Sequence, residues 1–289
     1  MSESRRLDAS LLRRFPLPSH APDVDKDARG LALCIVGSRE TAGAAMLAGL
    51  GALRAGAGKL RIAAPASIAA GLGIAVPEAR VIAFAEDARG CIDRPAVDEL
   101  IARCAGSDSV TIGPGMQRGD ALGSLVEAAF EGAAPLVLDA AALGVLRPLA
   151  AKLRVRPSGT ILLPHAGEMA RLLGWERARV EADPLAAAIG AAETYGSVVV
   201  IKGEYSFIVA PDGAHYRFRG GGIGLATSGS GDVLAGIVGG LAARGADAVT
   251  AALWGVYLHG EAGRMLGKQV GTIGFLAREL LDVVPGLME

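Results

Sequence analysis

Short apolar segments alternate with helical segments along most of this chain of 289 residues. The apolar segments have the length and composition of buried strands, and they cover residues 31–36, 59–63, 80–84, 109–112, 136–138, 160–163 and 198–201. Segments with helical spacing of apolar residues separate most of them, at 41–54, 96–104, 122–130, 168–173 and 185–195. This alternation predicts βαβ units, right-handed crossovers and a mainly parallel sheet covered by helices on both faces.

The pattern changes after the seventh predicted strand. Two apolar segments, 207–210 and 215–218, flank the turn sequence Pro211-Asp212-Gly213 and predict an antiparallel hairpin. Three further helices are expected at 233–244, 246–266 and 273–281. The first 30 residues are polar and contain prolines, and no repeat, linker or change in composition divides the remainder. We therefore expect a lead segment over 1–30 and a single α/β domain over 31–289.

Composition narrows the kind of ligand that the protein binds. Hydrophobic residues make up 51% of the chain but aromatic residues only 4%, so the core must be built from Ala, Val, Leu, Ile and Gly. Such small residues favour close packing of helices on the sheet. The formal net charge of -1 provides no overall field that would attract nucleic acid or an acidic membrane. A small-molecule ligand is the better expectation.

The cysteines and the amino-terminal sequence indicate the compartment. Cys34, Cys91 and Cys104 are widely spaced without a CxxC pair, so we expect buried free thiols in a reducing compartment rather than a zinc site or a disulfide framework. The first 15 residues lack the apolar core and cleavage site of a secretory signal. Apolar stretches such as 62–77 are interrupted before they reach the roughly 20 residues that span a bilayer. The sequence therefore predicts a cytoplasmic protein without a membrane partner.

The segment 220–240, GGGIGLATSGSGDVLAGIVGG, carries the clearest chemical signal. Its glycine-rich first half, which lets the backbone approach a ligand closely, runs into a helix that begins near Asp232. The unpaired N–H groups of a first helical turn favour phosphate. A carboxylate beside phosphate is repelled unless it has a chemical task, so Asp232 is a candidate base for an attacking hydroxyl. Alternatively, Asp232 only stabilises the helix dipole and the glycines form a flexible loop.

Polar or glycine-rich segments follow several of the predicted strands. Since ligands collect at the carboxyl ends of parallel strands, these segments should lie together. They are Gly37-Ser38, Gly113-Pro114-Gly115, Asp139, Pro164-His165-Ala166-Gly167-Glu168 and Lys202-Gly203-Glu204-Tyr205-Ser206. Each alone is typical of an ordinary turn, but Lys202 could meet a phosphate and His165 could donate to a ligand oxygen. His259 has no ligand-like spacing, which indicates a structural or surface role.

Taken in order, several segments resemble the ADP-dependent (S)-NAD(P)H-hydrate dehydratases of the ribokinase-like superfamily. They are VGSRETAGAAMLAGLGALRAGAGKLRI, VPEARV, TIGPGM, LVLDAAAL, LLPHAGEMARLLG, VVVIKGEYSFIVA and GLATSGSGDVLAGIVGGLAARG, and they span most of the chain from about residue 31 onward. The resemblance implies a ribokinase-like three-layer α/β/α fold whose single catalytic domain covers 31–289. No epimerase domain precedes these segments, so we expect a stand-alone dehydratase.

The resemblance also implies an activity. Such enzymes restore NADH or NADPH from the hydrate, with ADP or alternatively ATP as the phosphoryl donor and Mg²⁺ as the companion of the nucleotide phosphates. Asp232 would deprotonate the ring hydroxyl, which attacks the terminal phosphate of the nucleotide. Phosphate would then leave as the ring double bond forms again, while backbone amides around Ser230 and Gly231 stabilise the transferring group.

Site residues and assembly follow from the same resemblance. The adenine nucleotide would contact Lys202, Gly203, Glu204, Tyr205, Ser206, Ser230 and Gly231. The hydrate would contact Ala44, Gly115, His165 and Asp232. The resemblance assigns no metal ligand, and it implies a homo-oligomer with a tetramer as the expected size.

The chain departs from the family pattern at three places. The usual Asp-Ala-Asp after the central strand is Asp139-Ala140-Ala141, and the asparagine expected shortly afterwards is Gly144. The loop before the GSGD sequence has Gly221-Gly222-Ile223 in place of an Asn-Pro pair, and VGS stands where two glycines commonly precede serine. These changes leave the predicted fold and Asp232 intact, but they fall where the nucleotide, the metal or the hydrate would fit.

Three other functions are compatible with the sequence. A small-molecule kinase, similar to the hydroxymethylpyrimidine and hydroxyethylthiazole kinases, would share the fold and the GxGD chemistry but release a stable phosphorylated alcohol; the PHAGE and KGEYS segments favour the dehydratase. A nucleotide-binding relative without catalysis is suggested by the changes near Asp139 and opposed by Asp232. The third alternative is an unrelated α/β binding protein.

Overall fold

A computed structural model of the chain describes residues 4–19 and 25–288, and a ten-stranded sheet runs through this part. The strands are β1 (Arg5–Arg6), β2 (Leu31–Ile35), β3 (Lys59–Pro65), β4 (Ala79–Phe84), β5 (Ser109–Ile112), β6 (Leu136–Leu138), β7 (Thr160–Leu162), β8 (Val198–Ile201), β9 (Tyr205–Val209) and β10 (His215–Arg219). Their order across the sheet is β1-β10-β9-β8-β7-β6-β5-β2-β3-β4. All neighbours from β8 to β4 pair in parallel, which confirms the predicted mainly parallel sheet.

Helices cover both faces of this sheet. They are α1 (Ala9–Leu12), α2 (Ala42–Arg54), α3 (Ala66–Ala75), α4 (Val97–Cys104), α5 (Asp120–Ala128), α6 (Ala150–Arg154), α7 (Ala166–Leu173), α8 (Arg177–Ala182), α9 (Pro184–Tyr195), α10 (Ser230–Ala243), α11 (Ala248–Gln269) and α12 (Leu280–Val283). Apolar side chains of α5, α7 and α9 pack on one face, and those of α2, α10 and α11 pack on the other. The predicted three-layer α/β/α architecture is confirmed.

Burial on both faces explains why the central strands are continuously apolar. In β2, Leu33 and Ile35 join the core beneath α5 and α9, whereas Ala32 and Cys34 join the core beneath α2. Cys34 is a buried free thiol whose pKa is raised by that burial to about 12, and Cys91 is likewise buried and free. These two thiols confirm the prediction of buried free cysteines; the side chain of Cys104 lies outside the described part of the structure.

The helices α2 and α10 approach so closely that glycine is required at their contact. A Cβ atom added at Gly236 would lie 2.1 Å from the carbonyl oxygen of Ala48, and one added at Gly240 would lie 2.3 Å from the carbonyl oxygen of Ala52. Because no side chain separates the two backbones, the helix that carries Asp232 packs directly against the backbone of α2. The abundance of Gly and Ala in the sequence therefore serves this interface.

The short elements β1, α1, α6 and α8 were not predicted, and two larger differences concern α3 and the helix predicted over 273–281. The helix α3 was not predicted, because its residues are nearly all Ala, Gly and Ile and therefore lack the polar positions that reveal a period. The helix predicted over 273–281 is wrong in its first part: Gly274 has a φ of 106°, and helical structure begins only after Leu276. The backbone N–H of Leu276 donates to Glu279 Oε2 at 2.6 Å, which sets this starting point.

The described part of the lead segment belongs to the sheet and its core. Strand β1 pairs in parallel with β10, and the side chains of Leu7 and Leu12 are buried beside α11. Residues 1–3 and 20–24 of the predicted lead lie outside the described residues. Among the described helices, none combines the length and the apolar character that crossing a membrane requires.

Candidate active site

The chain reverses its direction across the sheet between β2 and β5. From β2 it proceeds through β3 to the edge strand β4, and it then returns to β5 on the other side of β2. Ligands of parallel α/β sheets bind in the crevice outside the strands at such a switch point. Here the loops after β2 and β5 are joined by a hydrogen bond of 2.8 Å from the N–H of Gly37 to the carbonyl oxygen of Pro114.

Two of the predicted hydrate contacts, Ala44 and Gly115, lie together at this crevice. Gly115 has a φ of 65°, and a Cβ atom added there would lie 2.5 Å from the Cβ atom of Ala44. The hydroxyl of Thr41 donates to the carbonyl oxygen of Gly115, and it lies 2.6 Å from the hydroxyl of Ser38. Only a small side chain at position 44 and glycine at position 115 fit this contact, which leaves a shallow surface on the first turn of α2.

His165, a third predicted hydrate contact, caps helix α7. Its Nδ1 accepts from the backbone N–H of Gly167 at 3.0 Å, and Glu168 Oε2 accepts from the backbone N–H of His165 at 2.9 Å. This reciprocal capping box fixes Nδ1 as the acceptor, so the neutral ring carries its proton on Nε2. The side chain is 55% exposed, and its Nε2 lies 3.4 Å from Glu168 Oε1.

The predicted phosphate contact Lys202 forms an ion pair with Asp139. Lys202 Nζ lies 2.8 Å from Asp139 Oδ1, and Asp139 is only 2% exposed. The backbone N–H of Lys202 donates to the carbonyl oxygen of Pro164 at 2.9 Å, so the ends of β7 and β8 are also joined. The ion pair therefore connects the loops that follow β6 and β8, across the end of β7.

Asp139 itself is held by tight backbone contacts. The N–H of Asp139 donates to the carbonyl oxygen of Ile112 at 3.1 Å. A Cβ atom added at Gly113 would lie only 1.9 Å from the carbonyl oxygen of Asp139. Ala140 follows with a φ of 48°, a left-handed conformation that costs a non-glycine residue energy. The backbone around Asp139 is thus constrained in a way that keeps its carboxylate at the crevice.

The glycine-rich loop places the first turn of α10 beside this ion pair. Gly229, at a φ of 87°, precedes the helix, and a Cβ atom added at Gly231 would lie 3.5 Å from Lys202 Nζ and 3.8 Å from Asp139 Oδ2. The N–H of Ser230 donates to the carbonyl oxygen of Thr227 at 3.3 Å. Within the described residues, the N–H groups of Gly231 and Asp232 have no hydrogen-bond acceptor. They form a pair of donors for an anion.

Asp232 has the electrostatic environment of a proton acceptor. Its pKa is raised to about 6, mainly because burial disfavours the charged form, and further because the charge of Asp139 lies nearby. The positive charge of Lys202 opposes these two effects. A carboxylate whose pKa lies near neutral pH is well matched to general-base catalysis. The structure thus brings Asp232, Gly231, Lys202 and Asp139 into one cluster, which we call the carboxylate cluster.

The remaining predicted nucleotide contacts form the turn between β8 and β9. Gly203 and Glu204 are exposed, and the ring of Tyr205 lies 5.4 Å from the guanidinium carbon of Arg217. Ser206 is paired with Phe218 of β10. This turn directly follows Lys202 and joins β8 to β9.

Two residues of the site were not predicted to act in it. Asp139 was predicted to lie among the segments at the strand ends and in a changed motif, but it was given no role of its own, although a carboxylate that directly follows three buried apolar residues is an available signal. The second residue is His259 of α11, whose Nε2 lies 2.9 Å from the hydroxyl oxygen of Ser230. No spacing in the sequence reveals that contact, because it joins residues 29 positions apart on two helices.

The sequence of this chain matches proteins of one known family. A family model described as NAD(P)H-hydrate dehydratase matches residues 32–286, nearly the whole described chain. This chain belongs to that family. A curated member, the ADP-dependent (S)-NAD(P)H-hydrate dehydratase of Xanthomonas campestris, is 49% identical over 288 residues, which are 99% of this chain and 96% of that protein. The chain also spans about half the length of bifunctional NAD(P)H-hydrate repair enzymes that it matches.

Solved structures give the same result for the fold of this dehydratase family member. An ADP/ATP-dependent NAD(P)H-hydrate dehydratase from Bacillus subtilis, co-crystallised with ATP/Mg²⁺, matches with a TM-score of 0.86 and 29% identity over all of both chains. A hydroxyethylthiazole kinase from Pyrococcus horikoshii matches with a TM-score of 0.58 and 17% identity, over 96% of this chain and 92% of its own. The predicted ribokinase-like fold is confirmed, and it is shared with kinases.

The changed family positions have a structural explanation at Gly144. A Cβ atom added there would lie 3.1 Å from Arg118 Nη2, so the guanidinium of Arg118 occupies the space beside the backbone into which a side chain at this position would extend. At the loop before the GSGD sequence, Gly221 and Gly222 have φ values of 89° and 71°. Glycine adopts these values readily, so this loop reaches the helix by a different backbone path from an Asn-Pro sequence.

Proposed function

We propose that this protein dehydrates (S)-NAD(P)H hydrate to NAD(P)H, with ADP as the phosphoryl donor. The observation that supports this best is the position of Asp232: a carboxylate with a raised pKa, in the first turn of a helix that has free N–H groups and lies beside the ion pair of Lys202 and Asp139. A base beside an anion site is what transfer of a phosphoryl group to a hydroxyl requires. Membership of the dehydratase family selects the hydrate as the substrate.

In the proposed reaction, Asp232 accepts the proton of the hydroxyl on the hydrated nicotinamide ring. The hydroxyl oxygen then attacks the terminal phosphorus of ADP, and the bond to the bridging oxygen breaks to release AMP. The lone pair of the ring nitrogen subsequently expels inorganic phosphate to leave an iminium, and loss of a proton from the adjacent ring carbon to water then restores the ring double bond and returns the lone pair to the nitrogen. The free N–H groups of Gly231 and Asp232 stabilise negative charge on the phosphoryl oxygens, and Lys202 exchanges its contact with Asp139 for one with phosphate.

Substrate positions are proposed on both sides of the carboxylate cluster. The hydrate lies over Ala44 and Gly115 at the switch point, with His165 Nε2 as a donor to one of its oxygens. The nucleotide lies along the turn formed by Gly203, Glu204, Tyr205 and Ser206, so that its terminal phosphate meets Lys202, Ser230 and Gly231. This arrangement places the ring hydroxyl and the phosphate on either side of Asp232.

Mg²⁺ is the proposed companion of the nucleotide phosphates. Within the described residues, no group of three or more His, Cys, Asp or Glu side chains could hold a metal ion. Mg²⁺ often binds through one or two carboxylates while phosphates and water supply the other oxygens, and the carboxylates of Asp139 and Asp232 fit that pattern. When bound, the ion would neutralise charge on the phosphates. Asp139 would then exchange its contact with Lys202 for one with the ion.

Three further predictions extend this proposal. We propose that residues 31–289 act as a single catalytic domain, that the protein assembles as a homo-oligomer with a tetramer as the expected size, and that it is cytoplasmic. The continuity of the sheet from β2 to β10 supports the first of these. Light scattering of the purified protein measures the second directly.

A product analysis separates this proposal from the kinase alternative, which the shared fold keeps in consideration. Protein, NADH hydrate, Mg²⁺ and ADP are incubated, and the products are quantified by chromatography and ³¹P NMR. The dehydratase predicts equal amounts of NADH, AMP and inorganic phosphate, and ATP in place of ADP tests the donor. A stable phosphorylated alcohol formed from a vitamin precursor, without hydrate turnover, would instead establish a kinase. Nucleotide binding without any turnover would establish a non-catalytic relative.

A further inference from the structure

His259 contacts the residue that begins helix α10. It projects from α11, and its Nε2 lies 2.9 Å from Ser230 Oγ and 3.0 Å from the carbonyl oxygen of Ser230. Ser230 is buried and directly precedes Gly231, one of the two residues with a free N–H group. His259 thus contacts the first turn of the helix, and it belongs to neither predicted binding set.

The carbonyl contact determines where the protons lie. A carbonyl oxygen can only accept, so Nε2 of His259 must carry a hydrogen and donate it to Ser230. The same hydrogen is shared with Ser230 Oγ, which therefore acts as an acceptor from His259. As a result, the hydroxyl of Ser230 keeps its own hydrogen free to donate to another group.

The charge state of His259 agrees with this arrangement. Its pKa is lowered to about 4, mainly because burial disfavours the charged ring, while the bond to Ser230 raises it and the positive charge of Lys202 lowers it further. The imidazole is therefore neutral near pH 7 with a single proton, which the geometry assigns to Nε2. The effect of Lys202 also shows that His259 and the carboxylate cluster share one electrostatic environment.

We propose that His259 is a positioning residue for phosphoryl transfer, which directs the hydroxyl hydrogen of Ser230 and the N–H of Gly231 at the transferring phosphate. The inference rests on the proposed function and adds a donor that the family resemblance did not supply. The Ser230 hydroxyl stabilises charge that develops on the phosphoryl oxygens, and His259 holds that hydroxyl in one orientation. Its contribution is consequently greatest in the transition state.

Kinetics of two substitutions test this role. His259→Leu removes the donor and keeps the volume, whereas His259→Gln retains a side-chain N–H at a similar reach. Loss of one preorganised donor commonly lowers kcat by about 10²-fold to 10³-fold, so we expect a fall of at least about tenfold for His259→Leu through a positioned serine. KM for ADP and for the hydrate should stay nearly constant, and His259→Gln should recover most of kcat. An unchanged kcat in a folded His259→Leu protein would overturn the proposal.

The same substitution in a Ser230→Ala background distinguishes positioning from packing. If His259 acts through the serine hydroxyl, His259→Leu should lower kcat by less than about twofold once that hydroxyl is absent. A role in packing alone would lower the melting temperature in both backgrounds and lower kcat equally in both. Equal losses of kcat would therefore overturn the proposal. If His259→Leu does not fold, His259→Asn, whose amide does not reach Ser230, takes its place.

A spectroscopic measurement tests the proton assignment without any turnover. In ¹⁵N-histidine-labelled wild-type protein at pH 7, long-range ¹H–¹⁵N correlations should show Nε2 of His259 protonated and Nδ1 unprotonated, with His259→Gln used for assignment. The opposite tautomer would overturn the inference. Turnover of the hydrate separates the two hypotheses. If the wild type does not convert the hydrate, the proposed function fails. If the wild type converts it and His259→Leu does so equally fast, only the role of His259 is contradicted.

Discussion

At the scale of residues, the charge of Asp232 is set by its neighbours. Burial and Asp139 favour its protonated form, and Lys202 favours its ionised form. The ion pair between Lys202 and Asp139 limits how far the pKa rises, because the positive charge partly cancels the negative one. The base is therefore destabilised when it is ionised, and this excess free energy is available to drive removal of a proton from the substrate.

The raised pKa of Asp232 predicts a pH-dependent cost in stability. Between its unfolded value of 3.8 and its folded value of about 6, the folded protein holds a proton that the unfolded chain releases, so the free energy of unfolding falls as pH rises through this window. The Asp232→Asn protein has no carboxyl group at this position, so its free energy of unfolding does not fall in this window. It should be as stable as the wild type below pH about 4 and more stable by up to about 3 kcal/mol above pH about 6, as measured by urea unfolding. A difference that does not vary with pH would contradict the assignment.

Asp139 should tune the base without replacing it. Asp139→Asn removes a negative charge near Asp232 and frees Lys202 to act on it, and both changes lower the pKa of Asp232. The acid limb of the pH profile of kcat/KM reports the pKa values of groups in the free enzyme, so this limb should move to lower pH. Asp98→Asn, an exposed carboxylate on α4, is the matched control and should leave the limb unchanged. An acid limb that moves to higher pH in Asp139→Asn would show that Asp139 does not raise the pKa of Asp232.

At the scale of elements, α10 depends on the backbone contact with α2. Because a Cβ atom at Gly236 would lie 2.1 Å from the carbonyl oxygen of Ala48, any side chain there must push the two helices apart. The first turn of α10, with Gly231 and Asp232, would move with the helix. Packing of glycine against backbone thus determines how accurately the base is placed.

Gly236→Ala should consequently destabilise the protein by about 1–3 kcal/mol, the usual cost of overpacking, despite the better helix propensity of alanine. Gly71→Ala in α3 is the matched control, since a Cβ atom there meets nothing within 4 Å. The control should be neutral or more stable by about 0.4–1 kcal/mol. Urea unfolding of both variants measures the difference, and equal stabilities would show that the contact between α2 and α10 does not require glycine.

At the scale of the whole molecule, the site exists because the sheet reverses its order between β2 and β5. The loops after β2, β5, β6, β7 and β8 end on one edge, and the loop before α10 comes to meet them. Residues as distant as Asp139 and Lys202, 63 positions apart, then share one hydrogen bond. The sheet supplies the positions, and the loops supply the chemistry.

The periodicity of the sequence predicts most of the elements but not their neighbours. Apolar segments and the GSGD sequence identify the strands and the catalytic helix, because burial and turn chemistry act locally. The order of the strands is a property of the packed chain, so neither the ion pair of Lys202 with Asp139 nor the contact of His259 with Ser230 follows from spacing. The capping role of His165 was missed because histidine is an unusual N-cap residue.

Absorbance of the reduced nicotinamide ring provides the most direct test of Asp232 as the base. Wild-type protein and Asp232→Asn are each mixed with NADH hydrate, Mg²⁺ and ADP, and ADP affinity is measured in parallel to show that both bind the nucleotide. The wild type should generate the absorbance of NADH only when nucleotide is present, and Asp232→Asn should do so at least about 10³-fold more slowly with similar ADP affinity. Turnover by Asp232→Asn near the wild-type rate would contradict the central role of this carboxylate.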